Sequence, residues 1–373
     1  MSIVQGYTTD NFSPLREVFE EQLSSGEDVG ASIAVYLRGE LVADIWGGYA
    51  DEQKTTLWER DTILNVWSVT KTMTFLVALM LADRGELDFH APVAKYWPEF
   101  AQQDKGSIEV RHVMGHTSGL AGFDAMLKPE DLADWDLCTR ALAAQAPWWE
   151  PGTASGYHLV TQGYLIGEIV RRITGTSFAQ FFKSEVTDVL DADFYVGLPE
   201  SEESRVSLVI PGAGNVLEGM DPHSIAYRSW MSPPIDFTWP WHRWWRAAEI
   251  PASNGHGNAR SVATIQSIVA NKGEFNGKRF FSEKTGAQIF ETQAHGVDLV
   301  LGIEANFGMG YGLASSVTPL GPHGCFWAGL GSLVVMDQDF GITIAYTPNK
   351  MQFVPGSTRG ANIARVAVEA ALR

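Results

Sequence analysis

The strongest constraint on the fold is a pattern that occurs twice, once toward each end of the chain. Residues 32–37 and 40–46 are strand-like, rich in Val, Ile, Tyr and Trp, and separated by Arg38-Gly39, a two-residue tight-turn signal. Residues 332–336 and 341–346 form a second apolar pair around Asp337-Gln338-Asp339. An amphipathic helix over residues 11–26 precedes the first pair, with Leu15, Val18, Phe19 and Leu23 at helical spacing, and an Ala-rich helix over 360–373 follows the second. Between them, residues 72–83, 128–145 and 161–174 have helical pattern, and 230–250 is an irregular stretch rich in Trp and Pro. Sheet faces and helix stripes must be buried against other elements. The economical arrangement is therefore α+β: an antiparallel sheet built from both ends and flanked by the terminal helices, with a mostly helical lobe inserted. We expect residues 1–80 and 255–373 to form the sheet domain and 81–254 the inserted helical domain, with a site in the cleft between them.

Composition narrows the partners. Lys and Arg (27) against Asp and Glu (44) give a formal charge of −17, which repels nucleic acid and anionic membrane. No apolar run is long enough to span a bilayer, and residues 1–10 lack a basic start followed by an apolar stretch, so the expected location is cytoplasmic. Cys138 and Cys325 are the only cysteines and form no CxxC pair, which disfavours a disulfide framework and a structural zinc site.

The most informative chemistry is at Ser68 and Lys71, three residues apart at the start of a long apolar helix. On a helix this spacing puts Oγ and Nζ on one face. A serine hydroxyl needs a base to take its proton, and a lysine can serve if burial lowers its pKa. The run Phe75-Leu76-Val77-Ala78-Leu79-Met80-Leu81-Ala82 is too apolar for a surface helix, so that burial is expected. The same residues also read as a helix cap and a solvated first-turn lysine. Tyr157, delivered on the turn-rich loop 151–159, can reach a cleft, where a lysine cation beside it would favour phenolate, or it can simply pack on its neighbours. Segment 323–332 runs Gly-rich into a strand, and its small residues Ala328, Gly329 and Gly331 either admit a substrate to a backbone N–H or make a plain turn. His112 and His116 have the spacing of a metal pair without the HExxH glutamate and read as structural. No G-x-S-x-G occurs to anchor a nucleophile elbow. Trp239-Pro240-Trp241-His242-Arg243-Trp244-Trp245 reads either as an aromatic lip over the cleft or as a packed loop.

Together and in this order, these segments resemble the serine β-lactamase and penicillin-binding-protein superfamily, and specifically the class C β-lactamase-like esterases known as family VIII carboxylesterases. Further matches are His116-Thr117-Ser118-Gly119-Leu120, Pro151-Gly152-Thr153, Gly163-Tyr164-Leu165-Ile166-Gly167-Glu168 and Ile173-Thr174-Gly175, so the similarity spans roughly residues 12 to 370. The resemblance implies a β-lactamase/transpeptidase-like fold, Ser68 as nucleophile, Lys71 and Tyr157 as a proton-transfer pair whose division of labour stays open, and an oxyanion hole made by the N–H groups of Ser68 and Leu330. Two boxes depart from the β-lactamase pattern. Tyr157-His158-Leu159 replaces Tyr-x-Asn, and Trp327-Ala328-Gly329 replaces a box that begins with Lys or His, removing the cation that would meet a β-lactam carboxylate. These residues, His158, Leu159, Trp327, Ala328 and Gly329, are expected to meet the substrate, with the indole an apolar wall for neutral esters. The implied activity is a serine carboxylesterase acting on small, short-acyl esters through an acyl-enzyme. A β-lactamase or D-Ala-D-Ala peptidase, an acyltransferase and an inactive binding homologue are the alternatives. No cofactor or metal is implied, the partner is a small-molecule ester rather than nucleic acid or membrane, and a homo-oligomer is left open.

Overall fold

The computed structural model describes residues 4–212, 214–352 and 358–373. Among these residues, strands β1 (Val4–Thr8), β2 (Gly30–Leu37) and β3 (Glu40–Gly48) from one end of the chain meet β12 (Gly324–Gly329), β13 (Ser332–Asp337) and β14 (Ile342–Pro348) from the other. They form one antiparallel sheet in the order β1-β3-β2-β14-β13-β12. The two ends join at β2 and β14, with Val35 opposite Ile344 and Ile33 opposite Tyr346. Residues of both strands are buried on both faces, which is why neither reads as alternating. One face packs against the helices Ser13–Ser25 and Thr358–Ala371 through Leu15, Phe19, Ile33, Ile344, Ile363 and Val366. The other carries the helix Ala259–Ala270, whose first N–H is held by Ser32 Oγ at 3.0 Å. Arg38 and Gly39 both have positive φ (52° and 85°), the geometry that lets a two-residue turn follow the strand twist.

The helical pattern of residues 161–174 is met by Thr161–Thr174, and that of 72–83 by Lys71–Asp83. The expected helix over 128–145 is two pieces, a 3-10 turn Pro129–Ala133 and a helix Trp135–Ala144. Asp134 separates them because its carboxylate caps the second, accepting from Leu137 N at 2.9 Å while its own backbone is extended. A small second sheet, invisible to periodicity, has the order β5-β7-β4-β6. It consists of β4 (Ile63–Asn65), β5 (Phe194–Tyr195), β6 (Val206–Ser207) and β7 (His256–Gly257). Two hairpins, β8 (Glu274–Phe275) with β9 (Lys278–Arg279) and β10 (Ala294–Val297) with β11 (Glu304–Phe307), complete the strands. No described helix is long and apolar enough to cross a membrane.

Candidate active site

β4 leads directly into the site. Asn65 Nδ2 donates to the carbonyls of Ser253 and Gly255 (2.8 and 3.1 Å), which ties the approach to the nucleophile to the segment before β7. Trp67 then takes φ of +50°, a conformation that is costly for a bulky side chain and persists only where packing imposes it. The packing is visible: the Trp67 indole lies 6.0 Å from Trp245 and 6.2 Å from Phe237, and Thr70 Oγ1 donates to Trp67 O. Residues Trp67–Thr70 form a 3-10 turn that continues into the helix Lys71–Asp83, buried from Lys71 to Leu81. Ser68 is half-buried at its head, and the capping position belongs to Val66, so the reading of Ser68 as a cap falls away.

Lys71 is fully buried. Its Nζ donates to the carbonyls of Leu159 (2.8 Å) and Ala252 (2.9 Å) and lies 3.4 Å from Ser68 Oγ. Burial draws its pKa well below the ordinary 10.5. A neutral amine has two N–H bonds and one lone pair, and the two carbonyls match the two N–H bonds, leaving the lone pair for the serine hydroxyl.

Tyr157 lies against the same amine, with Lys71 Nζ 4.8 Å from its ring centroid. The sequence reading has a lysine cation here favouring phenolate; the structure reverses it. Burial raises the phenol pKa, and interactions with Ser68 and the Trp327 indole, which pull it down, do not offset that. A desolvated lysine supplies no strong cation to do so. Burial thus favours the neutral form of both groups.

The His116-Thr117-Ser118-Gly119-Leu120 segment holds the Tyr157 loop from beneath. His116 O accepts from Gly156 N (3.0 Å), His116 Nδ1 accepts from His158 N (3.0 Å), and Leu120 O accepts from Thr161 Oγ1 (2.6 Å). His158 is fully buried: Nδ1 donates to Gly156 O, so Nε2 accepts from Ser118 Oγ, both at 2.6 Å. Burial lowers its pKa to about 4, and that of His116 well below 6.5. His158, expected to meet the substrate, is buried here and braces the loop. Leu159 reaches the chemistry through its carbonyl rather than its side chain. His112 caps a short helix, its Nδ1 accepting from Glu109 N.

On the opposite wall, β12 brings Trp327, Ala328 and Gly329 alongside Ser68. Trp327 is 3% exposed and stacked near His116 (5.7 Å), Phe75 (5.0 Å), Tyr157 and Phe307 (both 5.9 Å), so it supports the phenol from below, while Ala328 is the exposed member. Leu330 and Gly331 make the turn into β13 with φ of 48° and 119°. Leu330 O is held by Gln352 N at 3.0 Å, and neither the Leu330 N–H nor that of Ser68 has a backbone partner among the described residues. A Cβ on Gly329 would sit 2.5 Å from Ser68 N and 3.1 Å from Val69 N. Gly329→Ala is thus expected to displace one of the two free N–H donors and lower kcat/KM for esters about 10- to 100-fold, read by steady-state kinetics.

The Trp-rich stretch is divided, with Trp241 exposed and two of its other indoles turned inward. Trp239 and Trp245 are buried, and Trp245 Nε1 donates to Asn65 Oδ1 (2.9 Å), so this stretch sets Trp67 from behind.

A family model described as Beta-lactamase matches residues 15–368. The chain is 32% identical over 374 residues to Esterase/beta-lactamase LipL of Mycobacterium tuberculosis, covering 93% of this chain and 83% of that protein. Among solved structures, it is similar to a family VIII carboxylesterase (TM-score 0.93, 35% identity, 98% of this chain and 99% of the other). It is also similar to a penicillin-binding protein homologue from Caulobacter crescentus (TM-score 0.90, 31% identity, 98% and 99%).

Proposed function

Because the chain belongs to the β-lactamase family, we propose that it acts as a serine carboxylesterase in which Lys71 takes the proton of Ser68 and Tyr157 returns one to the leaving alcohol. The observation that carries this reading is the Lys71 environment: two carbonyls accept from its Nζ, burial favours its neutral form, and Ser68 Oγ lies 3.4 Å away. In the first half-reaction the Ser68 proton passes to Lys71 Nζ as Oγ bonds to the ester carbonyl carbon. The oxyanion that forms is met by the N–H groups of Ser68 and Leu330. The C–O bond to the alcohol then breaks, Tyr157 OH protonates the departing oxygen, and the proton on Lys71 returns through the same cluster to the tyrosine. Water repeats the sequence to release the acid and restore Ser68 Oγ–H.

Selectivity for small, short-acyl neutral esters follows from the third box. Trp327 offers no cation to a β-lactam carboxylate, and Arg359, at the head of the last helix, is buried and ion-paired with Asp28. A charge left without a partner in a partly dry cleft costs on the order of a few kcal/mol, or about two decades in rate. The test is kcat/KM for p-nitrophenyl butyrate against nitrocefin on one preparation, with the ester expected to be favoured about 100-fold or more. Comparable values would replace the esterase reading by a β-lactamase one.

A further inference from the structure

Tyr157 is gripped from outside its own loop. Asp298 follows β10 and is fully buried. Its Oδ1 accepts from the backbone N–H of Tyr157 at 3.0 Å and from those of Val300 and Leu301 at 2.9 Å each. One oxygen thus shapes its own turn and fixes the backbone of a residue that is 141 positions earlier in the chain. The adjoining Leu299 N–H bonds to Ser155 O at 2.8 Å, so the two loops run together over two successive contacts. From the far end of the same hairpin, Phe307 stacks on the Tyr157 ring at 6.5 Å with only 17° between the planes. Backbone and ring are therefore both set by β10, β11 and their connection.

We propose that the β10–β11 hairpin is a clamp on Tyr157, with Asp298 and Phe307 as positioning residues that hold the phenol in reach of the leaving oxygen; this rests on the reading of Tyr157 as proton donor. The other titratable groups facing the phenol are Lys71 and His116, and burial favours the neutral form of each. The Asp298 carboxylate acts in the same direction as burial, disfavouring phenolate.

A proton donor matters most when the leaving alcohol is a poor one. A p-nitrophenolate departs unaided, whereas an alkoxide does not. Release of the shared butyryl-enzyme needs the same proton donor for both esters, so the comparison is made on kcat/KM, which reports acylation alone: Asp298→Ala is expected to lower it about 10-fold for an ethyl ester of butyrate and far less for p-nitrophenyl butyrate. Asp298→Asn, which keeps an acceptor for the Tyr157 N–H, is expected to restore the ethyl ester rate. In a Tyr157→Phe background, Asp298→Ala should add nothing. Equal loss on both esters, or a further loss in the Tyr157→Phe background, would overturn the clamp. Should Asp298→Ala fail to fold, Phe307→Leu reads the same clamp from its other end, with the same ester ratio and the same outcomes. An ethyl ester rate unchanged by Tyr157→Phe alone would instead remove the proton-donor reading itself, so the two failures are separate.

Discussion

Ser68→Ala is expected to abolish ester hydrolysis, by at least about 10⁴-fold, while leaving the fold intact. The residue is half-buried and its hydroxyl lies a long 3.4 Å from Lys71 Nζ, so little native structure depends on it. The backbone donor of Ser68 survives the substitution, and with it part of the proposed oxyanion hole. What disappears is the atom that bonds to the acyl group. Rates on p-nitrophenyl butyrate, a thermal melt within about 1 kcal/mol of the parent, and the loss of an acyl adduct by intact mass check the three parts of this statement. A Ser68→Ala protein that still turns over esters would end the assignment.

Lys71→Ala is expected to cost about 10³-fold in kcat. Its readout needs more care, because the substitution also strips Ala252 O of its buried donor, at about 1–3 kcal/mol if left unpaired, while Leu159 O keeps the Ser253 hydroxyl at 3.1 Å. The melting temperature should therefore fall as well. The pH profile separates chemistry from stability. With Lys71 depressed by burial, the parent enzyme should lose activity as pH falls through that lowered pKa, since the ammonium has no lone pair for the Ser68 proton. The limb should lie below the 10.5 of an ordinary lysine and be missing from the residual activity of Lys71→Ala. A profile unchanged by the substitution would transfer the base role away from Lys71.

How far the sequence goes depends on whether a feature is carried by side-chain identity at short range. The β2–β3 turn is legible because Arg38-Gly39 sits between two apolar runs, and the Ser68–Lys71 pair because three residues on a helix return to one face. The partners that make Lys71 a base are not legible. They are the carbonyls of Leu159 and Ala252, 88 and 181 positions away, and every residue carries a carbonyl. The same holds for Asp298, one acidic residue among 44 until the fold brings it to Tyr157. Gly329 was visible as a small residue, but its contact with Ser68 N depends on how the β12–β13 turn meets the 3-10 turn. His158 misleads for the opposite reason: it adjoins Tyr157 in sequence, yet its ring turns into the protein toward Ser118. Strands of two residues, such as β5 and β7, leave no periodic trace at all.

The placement of β14 between β2 and β13 has a consequence for how the protein comes off the ribosome. Residues 30–37 are translated early, but the neighbour that covers their open edge is among the last segments made. At about 5–20 residues per second, tens of seconds separate the synthesis of Ser68 from that of Leu330. Throughout that interval the nascent chain carries Ser68 without the second N–H of the proposed oxyanion hole, and with an uncovered strand edge, the surface that other chains add to most readily. A stalled or prematurely terminated chain is therefore both inert toward esters and exposed to aggregation, and the last strands to be translated resolve the two hazards together.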